Sequence, residues 1–138
     1  MNEKLAITLI WSLSAAILLR LWRVWDRLPE REAVHFSMRL QPNGWAGKSS
    51  MLLIVIVFTL GQAILGSWLI LTVSHGLSIV NWIQVLVSAM LVSAFWQMIS
   101  FNADRKPFRA AWVVVPLVML FASITAFMLD LSFRMYRH

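Results

Sequence analysis

Few side chains in this chain could do chemistry. It has three histidines (His35, His75 and His138), six Asp/Glu and no cysteine. The lack of thiols excludes disulfides, thiolate nucleophiles and Cys-based metal sites together. A histidine metal site needs converging ligands, yet no HExxH occurs, and His35 and His75 fall in connections on opposite sides of a membrane. No charged residue stands in the middle of an apolar run, where a proton relay would need one. No nucleophile–base pair is evident either. The residues therefore point to a non-enzymatic protein with no catalytic residue, metal or cofactor. His35 reads first as a structural hydrogen-bonding group, next as a pH-responsive or ligand-contacting one, and last as a metal ligand.

The amides Gln62, Gln84 and Gln97 sit inside apolar runs, where their usual role is hydrogen bonding between helices. Gly61 with Gly66, and Ala122 with Ala126, allow close helix approach. The richest polar stretch is "LPEREAVHFSMRLQPNGWAGK", Leu28 to Lys48. Pro29 keeps Leu28 extended and ends the first helix before it. Residues 33–38 alternate, with Val34 and Phe36 on one face and His35 and Ser37 on the other, as in a short surface strand. "QPNGW" reads as a turn with Pro42 at its first central position, followed by Asn43-Gly44. Trp45 and Lys48 return the chain to the interface. The candidate partner-binding residues are Arg31, His35, Phe36, Arg39, Pro42, Asn43, Gly44, Trp45 and Lys48.

The elements that hold this stretch are apolar. The composition is 60% hydrophobic and only 13% charged, about half the charged share of a soluble domain. Four runs approach the roughly 20 residues that cross a bilayer: 5–25, 51–73, 77–99 and 110–129. Backbone polar groups must be paired in hydrocarbon, so these runs are expected to be helices despite their β-branched content. Pro116 should kink the fourth. A signal peptide fits the first run poorly, because the run ends without a small-x-small site. Trp22, Trp25, Trp82, Trp96 and Trp112 lie near helix ends, as an interfacial belt requires, whereas Trp11 and Trp68 do not. Residues 74–76 form a tight hairpin connection, and 100–109 a short basic one. The expected fold is all-α: one membrane domain over 1–138, a four-helix polytopic bundle with a long structured loop, 26–50, between helices 1 and 2.

The net charge of +6 lies in short segments beside apolar runs, a pattern of topology and headgroup contact; nucleic acid is not an expected partner. Arg20, Arg23, Arg27, Arg31, Arg39 and Lys48, with Arg105, Lys106 and Arg109, fall beside the first and third connections. Lys4, Arg134 and Arg137 fall opposite. The positive-inside rule then puts the loop in the cytoplasm and both termini outside. Arg20 and Arg23 should snorkel to headgroups, the loop acids Asp26, Glu30 and Glu32 should pair with its arginines, and Asp130 should meet water at a helix end.

The Leu28–Lys48 stretch resembles the signature of small bacterial membrane proteins related to the SdpI toxin-immunity family, specifically their N-terminal domain of unknown function. The matching positions are Leu28, Pro29, Glu30, His35, Phe36, Pro42, Gly44, Trp45, Gly47 and Lys48. The sequence departs at Ala33, Ser37, Leu40 and Ala46; at position 40 a glycine is usual, and leucine resists positive φ. The chain is shorter than the full immunity-type proteins, which carry further helices. The resemblance implies a multi-pass protein of the bacterial inner membrane, with relatives active in toxin immunity and signalling. Two functions follow as expectations. One is a binding module whose loop recognises a peptide, lipid or protein, with Arg31 and Arg39 attracting anionic groups. The other is an accessory subunit of a larger membrane complex, whose eight methionines and eight tryptophans supply packing surface. Either is compatible with a homo- or hetero-oligomer.

Overall fold

A computed structural model describes residues 1–37, 39, 41–73, 78–107, 109 and 111–136. Helix α1 spans Glu3–Val24, with Asn2 as its cap: the Asn2 side chain accepts from the Lys4 N–H at 2.7 Å. A single 3-10 turn, Trp25–Arg27, leads to extended Leu28, so the helix ends before Pro29 as its fixed φ requires. Strands β1 (Arg31–Phe36) and β2 (Pro42–Gly47) follow. Three helices complete the chain: α2 (Lys48–Val73), α3 (Ser78–Asp104) and α4 (Ala111–Tyr136, with Pro116 inside it).

The fold is mostly helical. Helices α1, α2 and α3 are long and apolar enough to cross a membrane, and α4 contributes a shorter apolar stretch, Val114–Ala126. The expectation of an all-α chain with a loop between the first two helices is corrected: that segment is a two-stranded antiparallel sheet. The alternation that suggested one strand at 33–38 begins two residues earlier. "QPNGW" is not the turn. Pro42 opens β2, where its missing N–H costs the ladder little. The chain reverses between Ser37 and Gln41, closed by the Ser37 N–H on the Gln41 carbonyl (2.8 Å) and the Gln41 N–H on the Ser37 hydroxyl (3.3 Å). Position 40, where the family pattern has glycine, lies outside the described residues, as do the 74–76 connection with His75, and His138. The side chains of Trp112, Asp130 and Arg134 also lie outside them.

The strand pairing carries two compensating irregularities. Ala33 faces Trp45, His35 faces Gly44, and Phe36 faces Pro42. Val34 is therefore an extra residue on β1 and Asn43 an extra one on β2, and the register ends where it began.

The helices pack along narrow seams. On α1 the buried positions are Ala6, Ile10, Ser14, Ile17, Leu21 and Val24; on α2 they are Met51, Val55, Thr59, Ala63, Gly66 and Ile70. Steps of three and four residues keep each seam on one face. Most of the core gathers at the hairpin end, where Ile17, Leu21, Val24 and Leu28 meet Met51 and Val55 of α2 and Phe95, Met98 and Ile99 of α3. A smaller cluster of Ala6, Ile10, Ala63 and Ile70 fills the far end. Between them, the Gln62 amide donates to Gln84 Oε1 (3.3 Å) and lies 3.4 Å from the Ser88 hydroxyl, joining α2 to α3. Gly66 makes the close approach there: a Cβ on it would come within 3.3 Å of both glutamines. Gly61 has open space around it. Helix α4 lies against α3, and Ala122 and Ala126 are exposed.

Candidate functional site

The hairpin is fastened to the bundle end by side chains distant in sequence. Asn102, near the end of α3, is buried and meets both backbone groups of Ala33. Its Oδ1 accepts from the Ala33 N–H (2.8 Å), and its Nδ2 donates to the Ala33 carbonyl (2.9 Å). The amide thus stands in for a third strand at that point of β1. Its second proton reaches the Met98 carbonyl at 3.0 Å. Three residues along β1, the Phe36 ring meets Phe101 edge to face, with centroids 5.2 Å apart.

Asp104, the last residue of α3, binds two arginines. Arg20 pairs with its Oδ2, and Arg27 with its Oδ1 at 3.1 Å. Arg20 does not snorkel outward as expected. Its guanidinium turns in to Asp104 and lies 5.3 Å from the Trp96 ring centroid. The pairing expected of Asp26, Glu30 and Glu32 with loop arginines is likewise corrected: Arg20 and the loop's Arg27 both pair with the partly buried Asp104 carboxylate on α3, whose attraction for them is less screened by water than that of the exposed Asp26 and Glu30, while Glu32 is buried. Beyond Asp104, Arg105 takes a left-handed φ of 55°. This turns the chain so that the Lys106 N–H reaches the Ser100 carbonyl at 3.3 Å.

Glu32 lies between hairpin and bundle. It is 0% exposed, and neither carboxyl oxygen has a hydrogen-bond partner among the described residues. Burial pushes its carboxyl up from the ordinary 4.5 to about 7, against a smaller opposing pull from the Lys48 ammonium. The Lys48 N–H meets the Glu30 carbonyl at 3.1 Å, and its ammonium sits 4.7 Å over the Trp25 ring.

The sequence-derived candidates divide by face. Arg31, His35, Asn43 and Trp45 are exposed on the hairpin, and Arg39 is exposed in its turn. His35 and Asn43 are joined: the imidazole Nδ1 lies 2.6 Å from Asn43 Oδ1, within hydrogen-bond distance. Gly44 lets the strands close there, since a Cβ on it would sit 2.7 Å from the Cβ of His35. Trp45 stands on the same hairpin, 52% exposed. Phe36 and Lys48 turn to the bundle instead, and Pro42 is half-buried. Sequence reasoning missed Asn102, Asp104 and the inward Glu32. The one available signal was "FNAD" following directly on an apolar run, with α3 continuing through it.

No curated protein and no solved structure matches the chain. Residues 7–60, which take in most of α1, the whole hairpin and the first half of α2, match the family model of a domain of unknown function, DUF1648.

Proposed function

We propose that the chain is a non-enzymatic membrane binding module, in which the bundle holds the β1–β2 hairpin as a rigid recognition element for a peptide, lipid or protein partner. One observation carries this reading. The inner side of the hairpin is clamped by Asn102 and Phe101, while its outer side presents Trp45 and the joined His35–Asn43 pair to the surroundings. A large aromatic held on a rigid backbone gives contact area at small entropic cost. Arg31 and Arg39 add positive charge beside it. In this reading all four helices span the bacterial inner membrane, and the basic end with the hairpin faces the cytoplasm. An SdpI-type role in immunity or signalling rests on the motif resemblance alone.

The competing reading, an accessory subunit held by its helices, separates in one experiment. A photo-crosslinking residue is placed at position 45, and in a second variant at position 22 on the exposed face of α1. Both are irradiated in native membranes. A binding module crosslinks a discrete partner from position 45 and loses it with His35→Ala. An accessory subunit crosslinks its neighbours from position 22 regardless of His35, and that outcome would overturn the proposal.

A further inference from the structure

A cleft of about 610 Å³ opens on α3, away from the hairpin, where the helix meets the connection to α4. Its floor follows α3 from Val92 to Ser100, about 12 Å of helix at the usual rise. The inner part is walled by Val92 and Trp96, with the small hydroxyl of Ser93 between them. At the outer part stand Ser100, Lys106 and Arg109. The cleft therefore begins inside the apolar length of α3 and ends at two exposed cations. Among the described residues no carboxylate lines it. The nearest along the chain, Asp104, is already held by Arg20 and Arg27.

The basic rim is built into the fold. Gln97 Oε1 accepts from the Arg109 N–H at 3.1 Å, so a side chain from within α3 holds the connection over the cleft. The Lys106 N–H is fixed on the Ser100 carbonyl. Trp96 is backed by the Arg20 guanidinium, 5.3 Å from its ring centroid. These contacts set the two cations at one end of an apolar channel, an arrangement that suits a ligand with an anionic head and a hydrocarbon tail. A soluble anion would leave the inner half of the cleft unfilled.

We propose that this cleft binds an anionic phospholipid, with the phosphodiester between Lys106 and Arg109 and an acyl chain against Val92 and Trp96. The site is distinct from the hairpin face and does not depend on the reading of that face.

The test is native mass spectrometry of the full chain in mild detergent, offered equimolar phosphatidylglycerol and phosphatidylcholine. The parent should hold phosphatidylglycerol roughly 25-fold more than phosphatidylcholine, since each of the two basic side chains at a membrane surface is worth roughly fivefold. Lys106→Gln/Arg109→Gln, both exposed positions, should bring the two lipids to parity. Arg31→Gln/Arg39→Gln, which removes the same charge from the hairpin, should leave the preference intact. Parity in the parent overturns the proposal, as does a preference that survives Lys106→Gln/Arg109→Gln or falls equally in the hairpin variant. Excess inorganic phosphate should leave the phosphatidylglycerol adduct in place. Its replacement by bound phosphate would assign the cleft to a soluble anion instead.

Discussion

Asn102 meets the N–H and the carbonyl of Ala33 at once, at 2.8 and 2.9 Å, so a single amide from α3 satisfies both buried backbone groups of a strand that lies before α2. Truncation to Asn102→Ala leaves both groups unpaired in a dry environment, at a cost of about 1–3 kcal/mol for each group. The bundle core is untouched, so the loss should fall on hairpin docking. Trypsin cleavage at the exposed Arg31 and Arg39 should accelerate while helix content by circular dichroism stays constant. Asn102→Asp should do nearly as much damage, because it keeps the acceptor but removes the donor to Ala33.

The two arginines on Asp104 should not contribute equally. The Arg20 side chain is 21% exposed and that of Arg27 is 57% exposed. Exposed pairs contribute little, and partly buried ones more. In double-mutant cycles read by thermal unfolding in detergent, Arg20→Gln with Asp104→Asn should show a coupling of about 1–3 kcal/mol. Arg27→Gln with Asp104→Asn should show less than about 1 kcal/mol.

Glu32 makes docking depend on pH. Its docked carboxyl titrates near 7 and its solvated one near 4.5, so the docked hairpin binds a proton that the undocked one releases. This stabilisation is complete below about pH 4.5, declines as pH rises toward 7, and is gone above it. The full span is about 3 kcal/mol. Amide exchange of β1, corrected for intrinsic rates, should therefore slow as pH falls from 8 to 5. Glu32→Gln should abolish that dependence and tighten docking at pH 8. Replacing Lys48 with Met removes the opposing ammonium and should move the transition to higher pH.

Gly44 faces the His35 Cβ across the hairpin with no room for a methyl group. Gly44→Ala should force the strands apart at a cost of about 1–3 kcal/mol and part His35 from Asn43. The His35 ring resonances in NMR should report the lost bond, while the Asn102 contact to Ala33, on the far side of the irregular register, should persist.

The apolar helices were legible because roughly 20 apolar residues leave a chain few alternatives in a bilayer. Half of the hairpin was legible too, since Val34 and Phe36 alternate with His35. Its turn was misplaced because Pro42 suits the start of a strand as well as a turn, and the extra residue at Asn43 absorbs an Asn-Gly pair that ordinarily marks a reversal. The contacts that fix the hairpin were not legible at all. Arg20 and Asp104 are 84 positions apart, as one hydrogen bond measures, and periodicity says nothing about pairs at such separation. Glu32 resembled any solvated loop acid, because its burial is a property of the packed bundle end and not of its neighbours in sequence.

The clamp also sets an order of events during synthesis. The hairpin leaves the ribosome before α2, yet Asn102, Phe101 and Asp104 lie at the far end of α3. Until both helices have been made and inserted, the Ala33 N–H and carbonyl lack Asn102, and Arg20 and Arg27 lack the Asp104 carboxylate. The segment must wait at the bilayer surface with only its α2 contacts, so a chain interrupted before the end of α3 would carry two inserted helices and a hairpin without the Asn102, Phe101 and Asp104 clamp.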